Sequence, residues 1–102
     1  MRRNRNVKIL ATLGPASSEE DMIQKLHEAG ADLFRINMSH ASHEVMRTLI
    51  GRIRAVEART GRPIGILCDL QGPKLRVGKF ADGKVTLAPG QTFTLDNRDE
   101  PG

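Results

Sequence analysis

The chain of 102 residues has no tryptophan or tyrosine, three phenylalanines and a single cysteine. With one cysteine no disulfide can form within the chain, which fits a reducing compartment, and we expect a cytoplasmic protein. No apolar run approaches the roughly 20 residues of a membrane-spanning helix, so we expect no membrane partner. The scarcity of aromatic residues leaves a small core to leucine, isoleucine, valine and methionine. We therefore expect one small domain or a piece of a larger one.

The net charge of the chain is +4, and Arg2, Arg3 and Arg5 supply three of its positive charges. We interpret residues 1–6 as a solvated basic tail. Proteins that bind nucleic acids combine basic with aromatic side chains, and aromatic residues do not accompany the basic ones here. We therefore expect no nucleic-acid partner. The alternative would require strongly salt-dependent binding through the three arginines.

The first seventy residues show strand and helix patterns in the order βαβαβ. Short apolar runs at residues 7–13, 31–38 and 64–70 predict three strands. Between them, apolar residues recur at helical spacing and predict two helices. The predicted apolar stripes consist of Met22, Ile23, Leu26, Ala29, Val45, Met46, Leu49, Ile50, Ile53 and Val56. Right-handed crossovers would make the strands parallel and place both helices on one side of the sheet.

Capping signals mark the ends of both predicted helices. Ser17 and Glu20 have the spacing of a capping box, and Ser42 is the predicted N-cap of the second helix. Gly30 is the predicted stop of the first helix, and the second ends near Gly61. His27 lies within the first helix, where we expect it to be exposed to solvent.

Beyond Gly72-Pro73 the pattern changes to short β-type runs at residues 75–80, 84–87 and 92–95. Two strong turn signals, Asp-Gly and Pro-Gly, separate these runs. We interpret residues 74–102 as the incomplete start of a small all-β domain.

The preceding residues, 7–73, provide only three strands and two helices. Three parallel strands with helices on one face would leave an apolar face uncovered. A TIM (β/α)8 barrel covers that face but needs roughly 250 residues. The sequence therefore predicts an N-terminal fragment of the α/β class, with the first three strands and two helices of such a barrel.

Polar residues cluster where the predicted strands end. The segment FRINMS at residues 34–39 places apolar side chains on one face and an arginine, an amide and a hydroxyl on the other. Ligands of parallel α/β folds bind at the edge of the sheet that the C-terminal ends of the strands form. The candidate residues are Thr12, Gly14, Pro15, Arg35, Asn37, Ser39, His40, Asp69, Gly72, Lys74 and Arg76. Guanidinium groups suit a phosphate, and amide, hydroxyl and carboxylate oxygens suit a hard cation, a combination typical of phosphoryl transfer.

Other interpretations of these residues are open. For Arg35 or Asp69 taken alone, a structural ion pair between the two is favoured, whereas polar residues at three neighbouring strand ends favour function. Residues 14–17 lack the Gly-Lys-Ser/Thr ending of a Walker loop. A triad of Ser39, His40 and Asp69 is disfavoured, because neighbouring residues of a strand point to opposite faces.

Three segments resemble the N-terminal part of pyruvate kinase in order and spacing: KILATLGPAS at 8–17, AGADLFRINMSHASHE at 29–44 and DLQGPKLRVG at 69–78. The Arg-x-Asn-x-Ser-His pattern in the second segment is highly specific. The resemblance implies the start of the family's barrel followed by the start of its β-domain lid. It also implies phosphoryl transfer from phosphoenolpyruvate to ADP, giving pyruvate and ATP in the final step of glycolysis, with Mg²⁺ and in a homotetramer.

The resemblance implies roles for individual residues. Arg35 resembles the arginine that binds the transferring phosphate of phosphoenolpyruvate. The implied monovalent-cation site consists of Asn37, Ser39, Asp69 and the backbone carbonyl of Leu70. The implied nucleotide-binding residues are Thr12, Pro15, Asn37, Met38, Ser39, His40 and Arg76.

Lys74 departs from the potassium-dependent members of the family, which carry Glu at this position and usually Thr at the position of Leu70. A lysine ammonium can supply the positive charge of K⁺, so we expect activity that does not depend on potassium. The family's catalytic lysine and its acidic magnesium ligands lie later in the barrel, so we expect the fragment alone to be inactive. The alternative is a truncated, non-catalytic module that binds phosphates or partners.

Overall fold

A computed structural model describes residues 3–102 of the chain, so Arg2 of the predicted basic tail lies outside the described residues. The chain divides into two compact units, Met1–Gly72 and Pro73–Gly102. Each unit is described below by itself. Within residues 3–102, no helix is both long enough and apolar enough to cross a membrane.

The first unit contains one sheet of three parallel strands in the order β1-β2-β3, with one helix in each connection. The elements are β1 (Leu10–Thr12), α1 (Glu20–Ala29), β2 (Leu33–Asn37), α2 (His43–Thr60) and β3 (Gly65–Asp69). The predicted α/β class and the βαβαβ order are confirmed. The strands are shorter than the apolar runs, although backbone bonds between neighbouring strands continue beyond their ends; the N–H of Leu13, for example, donates to the carbonyl of Arg35 at 3.0 Å.

The two faces of the sheet differ as the alternation along β2 predicts. Phe34 and Ile36 are buried beneath the helices, whereas Arg35 lies on the opposite face and is only half-buried. Leu10 and Leu67 are about half exposed, and the register places both on the face of Arg35. The helices therefore cover one face of the sheet and leave the other, which we call the open face, uncovered.

The core lies between the sheet and the two helices. The helices bury Ile23, Leu49, Ile53 and Val56 in it, while Leu26, Met46 and Ile50 pack at its edge. The predicted stripes are wrong for Met22, Ala29 and Val45, which are exposed. Met22 and Ala29 stand at the margin of the α1 stripe, where the helix surface turns away from the sheet, and Val45 lies in the first turn of α2.

The helix termini confirm one capping prediction and correct the other. Ser42 Oγ accepts a hydrogen bond from the N–H of Val45 at 3.2 Å, and α2 ends at Gly61 with a left-handed φ of 66°. The capping box at Ser17 is wrong, since the residue preceding α1 is Glu19 and it makes no side-chain cap. Ser17 Oγ instead accepts from the N–H of Gly14 at 2.9 Å and closes the turn after β1.

The prediction that Arg3 and Arg5 lie in a solvated tail is wrong. Both contact Asp32, which precedes β2 and is only 6% exposed. One oxygen of the carboxylate, Asp32 Oδ1, accepts hydrogen bonds from Arg3 Nη1 at 2.6 Å and from Arg62 Nη2 at 3.0 Å. The other oxygen, Oδ2, accepts from Arg5 Nη1 and from the N–H of Ile9, both at 2.8 Å. We call Asp32, its three arginines and the Ile9 N–H the Asp32 cluster.

The electrostatics of the Asp32 cluster explain why the arginines fold back. The Ile9 N–H and the arginines hold the pKa of the Asp32 carboxyl well below its ordinary value of 3.8, against the opposing effect of burial. Arg3 Nη1 also donates to the carbonyl of Gly30 at 2.6 Å, just beyond the C-terminus of α1. The negative end of the helix dipole therefore attracts the positive charge that one carboxylate leaves uncompensated.

His27 is fully buried in α1, which corrects the expectation that it is exposed. Its Nδ1 donates to the carbonyl of Ala31 at 2.8 Å, so the imidazole closes the chain after the helix. The N-terminal arginines lie against this helix end, because the His27 carbonyl also accepts from Arg3. Burial of His27 thus depends on contacts that are distant in sequence.

The second unit contains the predicted turns but not the predicted strands. Gly83 and Gly90 have φ values of 77° and 80°, and each lies in a turn as expected. None of residues 73–102 forms a strand, so the three β-type runs are wrong as strand predictions. Most of their apolar side chains, including those of Leu75 and Leu95, are exposed. A short apolar run becomes a strand only when a neighbouring strand pairs with it and one face is buried.

Candidate functional site

Three residues of the predicted site lie side by side on the open face, at the C-terminal edge of the sheet. Thr12 comes from β1, Arg35 from β2 and Asp69 from β3. Thr12 is the register partner of Arg35, and Asp69 is the partner of Asn37, two residues beyond Arg35. We call Thr12, Arg35 and Asp69 the strand-end trio. Parallel strands bring their ends to one edge, which is why residues 57 positions apart in the sequence meet here, from 12 to 69.

The guanidinium of Arg35 joins the strand-end trio. Its Nε and Nη2 both donate to Asp69 Oδ2, at 2.9 and 2.5 Å, and its Nη1 makes a long contact of 3.4 Å with Thr12 Oγ1. The side chains of Arg35 and Asp69 are 27% and 48% exposed. The ion pair weighed as a structural alternative is therefore present, but solvent reaches it.

The residues after β2 form a tight turn at the same edge. Asn37 Oδ1 accepts from the Ser39 N–H at 3.0 Å, and the Asn37 carbonyl accepts from the His40 N–H at 3.2 Å. The Met38 N–H donates to the carbonyl of Asp69 at 3.0 Å, and the Met38 side chain packs against the core as predicted. The amide of Asn37 thus supports the turn and fixes the position of Ser39 within it.

The remaining predicted residues are distributed over both units. Pro15 lies in the turn after β1, and Leu70 directly follows β3 and is exposed. Lys74 and Arg76 belong to the second unit. Arg76 lines a cavity of about 490 Å³ within that unit, together with the tilted aromatic pair Phe80 and Phe93.

The donor chemistry of the C-terminal edge fits a hard monovalent cation better than a transition metal. Among residues 3–102, no group of three His, Cys, Asp or Glu side chains could hold a metal ion. The implied cation ligands Asn37, Ser39, Asp69 and Leu70 offer an amide, a hydroxyl, a carboxylate and a backbone carbonyl oxygen. Only one of the four carries a charge, which suits a weakly charged ion.

Sequence reasoning missed the Asp32 cluster at the opposite edge of the sheet. The available signal was an aspartate inside an apolar run, AGADLF, that directly precedes a strand. A carboxylate at such a position is buried only when it is paired. The arginines near the N-terminus are the natural partners, but sequence alone does not determine that they reach it.

Comparison with known proteins places the chain among pyruvate kinases. The family model described as "Pyruvate kinase, barrel domain" matches residues 4–100. A pyruvate kinase of Methylorubrum extorquens is 56% identical over 102 residues, 100% of this chain and 21% of that protein. A pyruvate kinase of Mycobacterium tuberculosis is 44% identical over 91 residues, 89% of this chain and 19% of that protein.

The fold agrees with these sequence relatives. The crystal structure of a pyruvate kinase from Cryptosporidium parvum matches with a TM-score of 0.66 and 32% identity, over 76% of this chain and 16% of that one. The chain spans about a fifth of the length of the curated relatives it matches (21% and 19%).

Proposed function

Since the chain belongs to the pyruvate kinase family, we propose that the protein containing it transfers the phosphoryl group of phosphoenolpyruvate to ADP. The products are ATP and pyruvate, and the step is the last of glycolysis. The observation that carries the proposal is the position of Arg35, a half-buried guanidinium at the C-terminal edge of a parallel sheet. Ligands of barrel enzymes bind at this edge.

The chemistry of phosphoryl transfer explains why an arginine is needed there. The transferring group carries negative charge on its three equatorial oxygens, so catalysis consists mainly of positioning and charge stabilisation. Arg35 would bind this group through paired N–H donors. By resemblance, the nucleotide contacts are Arg76, Thr12, Pro15 and residues 37–40.

The oxygen atoms of this chain provide one proposed cation site of the reaction. Asn37, Ser39, Asp69 and the carbonyl of Leu70 would hold a monovalent cation, which supplies positive charge beside the phosphates when bound. We propose that Lys74 supplies this charge instead, since it replaces the glutamate of potassium-dependent members. The main ligands of Mg²⁺ would come from later parts of the barrel.

The first test is a coupled assay of pyruvate formation with the whole protein. Arg35→Gln removes the guanidinium, and we expect kcat to fall on the order of 100-fold, the usual cost of losing one charge-stabilising donor. Arg47→Gln on the exposed surface of α2 is the matched control and should keep full activity. Equal activities of the two variants would contradict the role of Arg35.

The isolated chain of 102 residues gives a second arm of this test. We expect it to form no pyruvate, because it holds only part of the proposed site. Turnover by the purified fragment would refute the proposed division of the site between this chain and later parts of the barrel.

Potassium independence is tested in the same assay with and without K⁺, at constant ionic strength. We expect less than about a twofold change for the wild-type protein, because the lysine ammonium belongs to the chain and takes the place of an added ion. Lys74→Glu should make activity depend on K⁺. Strong activation of the wild-type protein by K⁺ would refute the proposed role of Lys74.

The wider setting of the protein is also a proposal. We assign residues 74–102 to the start of the family's lid domain and expect a cytoplasmic homotetramer. Light scattering after size-exclusion chromatography of the whole protein would measure the oligomeric state. A monomer with full activity would contradict the expected tetramer.

A further inference from the structure

We propose that Asp69 is an internal anion that occupies the phosphate-binding edge of Arg35 and must turn away before a phosphate can bind there. This inference rests on the proposed function through one residue, since it takes Arg35 as the phosphate ligand. It assigns Asp69 a role as an intramolecular competitor of the substrate.

The hydrogen bonds of Arg35 supply the first step. A guanidinium binds an oxyanion best along an edge that presents two parallel N–H groups. In this structure the Nε–Nη2 edge is already directed at one oxyanion, since both nitrogens donate to Asp69 Oδ2, at 2.9 and 2.5 Å. The remaining nitrogen, Nη1, contacts Thr12 Oγ1 at 3.4 Å. A phosphate oxygen has the charge and the acceptor character of the carboxylate oxygen it would replace.

The second step is that this ion pair is exchangeable. Asp69 is 48% exposed and Arg35 27% exposed, so water can solvate both groups when they separate. Asp69 also gives Arg35 a single oxygen, whereas the carboxylate of Asp32 uses both oxygens and is only 6% exposed. Of the two aspartates, Asp69 is therefore the one whose partner a ligand can replace.

The third step is that exchange requires no movement of the backbone. The carbonyl of Asp69 accepts from the Met38 N–H at 3.0 Å, and Asp69 pairs with Asn37 in the β2–β3 register. These bonds hold the main chain while the side chain rotates about its own torsions. The affinity of Arg35 for an anion is thus lowered by the competing carboxylate, and it should rise when the carboxylate charge is removed.

The test measures binding of inorganic phosphate to the whole protein by isothermal titration calorimetry. Asp69→Asn keeps the size of the side chain but removes its charge, and we expect phosphate to bind roughly fivefold tighter than to the wild-type protein, the gain that corresponds to one partly exposed ion pair. Glu20→Gln is the matched control, because it removes the carboxylate charge of another exposed ion pair, with Arg59 of α2, outside the proposed site. Its phosphate affinity should change less than about twofold.

A double variant shows whether the gain acts through Arg35. Adding Arg35→Gln to Asp69→Asn should abolish the increase. Unchanged or weaker binding by Asp69→Asn would overturn the inference, as would a gain that persists without Arg35. Asp69→Ser also removes the charge, and the same measurements on it decide the question if the asparagine variant does not fold.

The outcome is separable from that of the proposed function. Wild-type turnover tests the function, whereas the ratio of phosphate affinities requires no turnover. A protein that forms pyruvate but gains no affinity on Asp69→Asn refutes only the competition. An inactive protein that gains affinity refutes the function and leaves the competition in place.

Discussion

The two edges of the sheet carry the same chemical groups in opposite arrangements. At the N-terminal edge, Asp32 accepts from three arginines and a backbone N–H through both oxygens and is 6% exposed. At the C-terminal edge, Asp69 binds one arginine through one oxygen and is 48% exposed. The number of donors around a carboxylate and its burial distinguish an ion pair that stabilises the fold from one whose carboxylate a ligand can displace.

This difference follows the division of labour in α/β barrels. Residues at the N-terminal face of a barrel serve stability, and those at the C-terminal face serve binding and chemistry. A buried carboxylate needs several donors because desolvation of its charge is costly. A carboxylate at the binding edge remains solvated and can change partner.

The largest expected effect comes from removing the Asp32 charge. Asp32→Asn would leave three arginines without their carboxylate, and we expect the midpoint of thermal unfolding to fall by about 10 °C. Asp69→Asn should lower it by less than about 2 °C, since exposed pairs contribute little. Circular dichroism of both variants measures the difference, and equal shifts would break the comparison between the edges.

Acid should reveal the same contrast. Because folding lowers the pKa of Asp32 below its ordinary value of 3.8, its contribution to stability is fully present above 3.8 and is lost progressively as the pH falls from there through the lower pKa of the folded state. The difference in the midpoint of thermal unfolding between wild type and Asp32→Asn should decrease by about half or more from pH 7 to pH 2. The pKa of Asp96 is also lowered, by Arg98, so Asp96→Asn is the matched control. That exposed local pair should show a much smaller gap, and a constant gap for Asp32→Asn would contradict the assignment.

Substitutions of single arginines should lower the midpoint of thermal unfolding in the same order, but by less. Arg3→Gln removes donors to Asp32 and to the carbonyl of Gly30, and we expect a loss of about 5 °C in the midpoint. Arg35→Gln should cost less than about 2 °C while lowering kcat on the order of 100-fold. A larger loss for Arg35→Gln would show that the pair at the C-terminal edge is structural after all.

Thr12 should give the smallest effect. Its contact with Arg35 is 3.4 Å long and exposed, so Thr12→Val should shift the midpoint by less than about 1 °C. In the whole protein we expect less than about a twofold change in KM for phosphoenolpyruvate. Thr12→Ser, which keeps the hydroxyl, should match the wild type, and a rise in KM for valine alone would raise Thr12 to a positioning residue.

The sequence was sufficient for the order of elements and for the faces of β2. The alternation of Phe34, Arg35, Ile36 and Asn37 has the period of a strand, and it correctly separated the core from the open face. Parallel strands also made it predictable that the ends carrying Thr12, Arg35 and Asp69 lie at one edge. These features depend on local periodicity and on the handedness of crossovers.

The errors arose where distant contacts override local patterns. Ser17 and Glu20 have capping-box spacing, but Ser17 bonds to Gly14 in a turn instead. We predicted that His27 is exposed because the pattern of its own helix does not indicate its bond to the Ala31 carbonyl or its contact with Arg3. The β-type runs of residues 75–95 lack pairing partners among the described residues. Sequence patterns report what a segment prefers, not what is available to pair with it.

The Asp32 cluster has a practical consequence for how the protein is expressed. A translation start placed at or beyond residue 6 would remove Arg3 and Arg5, two of the four donors that compensate one buried charge. Affinity tags or fusion partners joined directly before Arg3 would place new chain next to a residue that binds the same carboxylate. Tags are therefore better placed away from Arg3 and Arg5, which contribute to the fold.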